Sequence, residues 1–206
     1  MKNIFLFVFL LNILFLSQSC SPIIKLVYGI HQPRILNKEK IDHFLIKNNL
    51  DTTNNLAIKD KDYLYITNKI QMTYPEIMVF DRDGKFIMYK DVKSCNASAF
   101  KFIDSLNAFK KYPTVDSINL TSFEQRLSDL NGRNPIHIKD ATSDYFLLIF
   151  WTEWTGKLNK DHTYIWEQNA KKNKNASIKI IKVNCDFQDY WDKDEREKNI
   201  KALTTP

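Results

Sequence analysis

The chain begins with Met1-Lys2-Asn3, continues in an apolar run over residues 4–16 broken only by Asn12, and then reaches Ser17-Gln18-Ser19-Cys20. One positive charge, an apolar stretch and small residues form the layout of a secretory signal. The run is shorter than the about 20 residues that span a bilayer comfortably, so a permanent anchor helix is the weaker reading. Residues 1–19 are therefore expected to leave the chain. About 187 residues then remain to fold outside the cytoplasm, enough for one large domain or two small ones.

Ser17-Gln18-Ser19-Cys20 resembles the lipobox of bacterial lipoproteins, in which a peptidase cuts before a cysteine that already carries diacylglycerol. Leu16 sits one place earlier than the usual leucine, as in the relaxed lipoboxes of Bacteroidota lipoproteins. The resemblance implies lipidation of Cys20 by palmitate-type chains. Several chains, at about 0.8 kcal/mol per buried methylene, make such an anchor effectively irreversible. Cleavage by general signal peptidase, leaving a soluble secreted protein, is the alternative. Residues 21–24 lack the acidic run that resembles a surface-export signal in that group, so a periplasm-facing place in the cell envelope is expected.

The formal net charge of +6 comes from lysines spread along the chain rather than from a block. Mixed signs at this density belong to a solvated surface, and export argues against nucleic acid as a partner. With Cys20 taken by lipid, Cys95 and Cys185 remain as a possible disulfide or thiol pair. Bonding requires Cα atoms within about 7 Å of each other. His31, His43, His137 and His162 are scattered without zinc spacing. Asp81-Arg82-Asp83-Gly84 reads as a turn rather than a calcium loop, and no phosphate loop or hydrolase motif is present. No metal, cofactor or catalytic residue is expected.

Apolar periodicity predicts strands over 23–28, 63–66, 76–80, 85–89, 145–151 and 177–183, with a hairpin turn at Asp83-Gly84. Helices are expected over 38–50, over 97–109 with Ser94 or Asn96 as cap, from a capping box at Ser122 to near Gly132, over 158–172 with Ile165 and Trp166 inward, and in an exposed charged stretch over 192–198. Residues 51–55 read as loop and 112–120 as a polar linker.

Phe150-Trp151-Thr152-Glu153-Trp154-Thr155-Gly156-Lys157-Leu158 resembles the active-site segment of the thioredoxin superfamily, a hydrophobic strand followed by Trp-Cys-Gly-Pro-Cys and a helix. Trp154 and Gly156 match that pattern. Thr155 and Leu158 stand at the cysteine positions. Residues 178–186 are similar to the next strand of that fold, and Tyr74-Pro75 followed by residues 76–85 is similar to its C-terminal half, with Pro75 at the place of a cis-proline. The resemblance implies an α/β chain in which residues 20–111 form a thioredoxin-like unit and 121–206 a second, incomplete one. The second unit either packs its short sheet on the first or shares one extended sheet with it. Thiol exchange needs a thiolate, which neither threonine nor leucine supplies, so the motif is expected to be redox-silent. Three functions stay open: a lipoprotein binding a protein or peptide partner, an atypical oxidoreductase using Cys95 and Cys185, and a structural envelope component.

Overall fold

The computed structural model describes residues 25–70, 74–90, 96–133 and 136–204. Residues 1–19, Cys20, Ser94 and Cys95 lie outside the described residues.

The strand β7 (Tyr145–Trp151) organises the molecule, because all seven of its residues are buried. A strand with no polar alternation must be covered on both faces. Phe146, Leu148 and Phe150 face one layer, packing with Tyr63, Ile66 and Phe123. Tyr145, Leu147 and Ile149 face the other, with Ile103, Leu106 and Trp166. Trp151 ends the strand in a third cluster with Ile41 and Leu45, its ring stacked on Phe44. The period of two along a strand produces this division directly.

Seven strands form one mixed sheet in the order β5-β4-β3-β7-β8-β2-β6 among the described residues. They are β2 (Asn55–Ile58), β3 (Glu76–Asp81), β4 (Lys85–Ile87), β5 (Thr114–Asn119), β6 (Leu127–Asp129), β7 and β8 (Ile178–Asn184). β7, β8 and β2 run parallel, and β3 joins β7 antiparallel from Glu76 opposite Phe150 to Asp81 opposite Tyr145. Two short parallel strands, β1 (Ile35–Leu36) and β9 (Phe187–Gln188), pair apart from this sheet. The helices are α1 (Lys38–Lys47), α2 (Tyr63–Lys69), α3 (Ala97–Ser105), α4 (Leu120–Glu124), α5 (Ile165–Lys172) and α6 (Lys193–Thr204). α/β architecture is as expected.

The stretch 112–120, expected as a polar linker, contains a strand. Residues 114–119 are not a linker but β5, which extends the sheet from β4, with Val115 and Ile118 half-buried. Strands from both expected units alternate in the sheet, since β2 lies between β8 and β6 and β3 lies against β7. Of the two arrangements open in the sequence, the shared sheet is the one observed.

Several local expectations fail for identifiable reasons. Residues 25–28 are a helical turn rather than a strand, closed by Gly29 at φ 67°. Residues 63–66 belong to α2, where Tyr63, Ile66 and Thr67 are buried at helical spacing. A short apolar run cannot distinguish the two periods. Residues 55–58 carry no strand signal in the sequence because Asn55 and Ala57 are poor strand formers, yet parallel pairing with β8 draws them into β2. The capping box at Ser122 is displaced: Asn119 caps α4, its Oδ1 accepting from Ser122 N at 2.9 Å. α4 then ends at Glu124, and Leu127–Asp129 enters β6. Ile165 is 39% exposed, and Trp166 alone of that pair points inward. Asn96 makes no side-chain cap to α3; its amide donates to Pro75 O at 2.7 Å instead.

Candidate functional site

The chain leaves β7 through a tight turn whose backbone is fixed from below. Thr155 is buried, and its hydroxyl donates to Thr152 O at 2.8 Å. The Asn159 amide donates to Thr152 O at 2.8 Å and to Gly156 O at 3.1 Å. Glu153 to Thr155 form one 3-10 turn, and Lys160–Tyr164 a π-helical turn leading into α5. The Thr155 hydroxyl is therefore committed to holding the turn.

Beneath the turn lies a buried polar cluster at the end of β8. Asp186 Oδ2 accepts from Glu153 N at 2.7 Å and from Asn184 Nδ2 at 2.8 Å. Gln188 Nε2 donates to Asn184 Oδ1 at 2.7 Å and to Asp186 O at 2.8 Å. Burial pushes the Asp186 carboxyl up to about 7, against the pull of these donors, and the nearby Glu153 charge adds to the rise. Desolvation outweighs hydrogen bonding here because the charged form loses water on all sides.

Cys185 is a free thiol, buried beside Asp186. Its Sγ donates to Val183 O at 3.4 Å. Burial, and after it the Asp186 charge, pushes this thiol well above its ordinary value. That environment disfavours the thiolate that exchange chemistry needs. Tyr63 donates its hydroxyl to Cys185 O at 3.1 Å, closing the cluster from α2.

Above the turn the chain covers itself. Lys157 N donates to Tyr28 O at 2.8 Å, and His31 N donates to Trp154 O at 3.1 Å. His31 Nε2 lies 3.2 Å from Glu153 Oε2. Gly156, at φ 59°, is in contact with this strap so closely that a Cβ there would sit 2.2 Å from Tyr28 O. Only glycine fits such an approach. Trp154 meets Tyr74 edge to face with centroids 5.9 Å apart, and the Tyr74–Pro75 peptide bond is cis. Between the strap, Tyr74, Trp154 and Leu203 lies a cavity of about 740 Å³.

The structure thus brings Trp154, Thr155, Gly156 and Leu158 together with Tyr74 and Pro75, and adds Cys185 underneath. Among the described residues, no three His, Cys, Asp or Glu side chains converge as metal ligands. His162 packs its ring against Trp166 and Phe100. Sequence reasoning missed Asp186, Asn184 and Gln188 as a buried network. Their signal was two polar residues, Asn184 and Asp186, flanking Cys185 directly after an apolar strand. It also missed the Lys182–Glu167 ion pair, 3.2 Å long and 2% exposed on both sides, whose burial pulls the Lys182 ammonium down.

Comparison with protein-family models, curated proteins and solved structures found no match to this chain. Among the described residues no helix is long and apolar enough to cross a membrane.

Proposed function

We propose that the protein is a redox-silent thioredoxin-like lipoprotein of the bacterial envelope, anchored through Cys20 and acting by binding a protein or peptide partner. One observation carries this reading. At the turn after β7, Thr155 and Leu158 occupy the places that cysteines hold in the resembled motif, and the strap over 28–31 is hydrogen-bonded across that turn. A dithiol site needs two sulfurs and access to them. This turn has neither.

The finer fold assignment draws on the sheet. The segment resembling the C-terminal half of a thioredoxin fold, residues 74–105, comes first in the chain, and the segment resembling the active-site half, residues 145–184, comes later. β3 pairs directly with β7 along six residues, so the two partial resemblances meet edge to edge. This supports a single thioredoxin-like unit with its halves in reversed order rather than one full and one incomplete copy. It also accounts for the incompleteness of the second unit, since β3 and β4 supply an antiparallel hairpin beside β7.

A turbidity assay of insulin disulfide reduction with the full lipoprotein tests the redox-silent half, and no rate above the reductant control is expected. A rate that Cys185→Ser or Cys95→Ser abolishes would overturn it in favour of a thiol pair. The burial of Cys185 speaks against that pair. Capture of partners from intact envelopes, wild type against Cys20→Ala, tests the binding half. A partner retained equally by both would show that anchoring has no part in recognition.

A further inference from the structure

We propose that the cavity beside Trp154 is a binding site for an anionic phospholipid of the membrane, with one acyl chain in the cavity and the head group at Lys25. The location rests on Cys20 as the anchor, and the chemistry rests on the cavity itself. Ile30, Pro33, Tyr74, Trp154 and Leu203 supply apolar walls, His31 and Gln32 are polar members of the same lining, and Lys25 lines the space with an exposed side chain. At about 740 Å³ the cavity falls within the ordinary size of small-molecule sites, mostly apolar with a few placed polar groups.

Three further features agree on a lipid. The turn over 25–28 that enters the cavity wall leaves Leu26 83% and Val27 55% exposed. Adjacent apolar side chains left open to water, beside a lysine, are the composition of a segment that rests in a bilayer interface. Trp154, held edge to face against Tyr74, gives the cavity an aromatic wall of the kind that packs on an acyl chain. Lys25 stands five residues after Cys20. Five residues reach at most about 18 Å, so an acylated Cys20 keeps Lys25 within that distance of the lipid to which it is anchored.

The strap makes this wall a fixed one. Tyr28 O and His31 N are both hydrogen-bonded to the turn at 154–157, so this wall is tied to the turn that carries Trp154. The protein's own acyl chains carry no negative charge for Lys25 to meet. A phospholipid with a phosphate and no balancing cation does.

The test is photolabelling of the purified lipoprotein in phosphatidylcholine vesicles doped with a diazirine acyl phosphatidylglycerol, or with its phosphatidylcholine counterpart at the same fraction. Adducts mapped by peptide mass spectrometry are expected on residues 30–33, Trp154 and Leu203. The anionic probe should label these about fivefold more than the zwitterionic one, the effect of one basic residue near an anionic surface. Lys25→Glu, at an exposed position where folding is not at stake, should erase that preference. Ile30→Glu should remove the adducts while the melting temperature reports whether the fold survives. Adducts confined to residues 20–27 would overturn the site, and equal labelling by both probes would overturn the role of Lys25. Labelling seen only in Cys20→Ala would mean that the protein's own acyl chain fills the cavity, which also overturns the proposal. The intact mass of the same preparation reports lipidation separately, so failure of the anchor and failure of the cavity are told apart.

Discussion

Asp186→Asn is expected to flatten the pH dependence of stability across neutrality. Burial holds the Asp186 carboxyl at about 7 in the folded protein, whereas an unfolded chain releases that proton near 3.9. Between those values the folded state keeps a proton that the unfolded state has lost. The resulting stabilisation is complete below the unfolded value and disappears as pH rises through about 7. Three units at about 1.36 kcal/mol each amount to ~4 kcal/mol over the whole range, of which about 2–3 kcal/mol falls between pH 5 and 8. In the variant, the amide oxygen can still accept from Glu153 N, but the side chain at 186 no longer titrates. The assay is urea unfolding followed by tryptophan fluorescence at a series of pH values for both proteins. A wild type whose stability is level from pH 5 to 8, or a variant with the wild-type slope, would refute the reasoning.

Other perturbations probe other layers. Gly156→Ala places a Cβ 2.2 Å from Tyr28 O at a positive φ, which should dislodge the strap, cost ~1–3 kcal/mol and speed amide exchange at His31. Unchanged exchange there would mean that the strap is not held by this turn. Leu148→Ala, at a fully buried position in β7, should cost about 2–5 kcal/mol in chemical denaturation. Glu167→Leu strips the buried Lys182 of its partner and should cost roughly 3–5 kcal/mol. Lys182→Met should cost less, because Glu167 keeps Lys171 at 2.7 Å. Equal losses for the two single variants would contradict that asymmetry.

What could be read from the sequence was what a single local pattern determines. β7 is legible because seven successive apolar residues, Tyr145–Trp151, have no other use at that length. β8 and the Gly84 turn are legible for similar local reasons. α2 and the turn at 25–28 were misread because short apolar runs fit both periods, and tertiary contacts decided between them. At the site, Trp154, Thr155 and Gly156 were visible as a motif. The strap was not, since the contact of Gly156 with Tyr28 joins residues far apart in the chain and leaves no trace in either segment. In the sequence Asp186 is only the last residue of the strand-like segment 178–186. Its burial depends on the Glu153 amide lying over it.

The interleaved sheet has a consequence for how the chain acquires its structure. β2 pairs Leu56 with Val183, and β3 pairs Ile77 with Ile149. The first strands to emerge during synthesis therefore find their neighbours only when the last third of the chain has followed. Contacts of such long sequence separation close slowly, and unpaired edges exposed meanwhile invite association. A fragment ending before Tyr145 lacks both central partners and should remain unfolded and prone to aggregate. Folding of this chain is in effect deferred until β7 and β8 arrive, so a helper that shields β2 and β3 in the interval would raise the yield of native protein, whereas one acting on the finished fold would not.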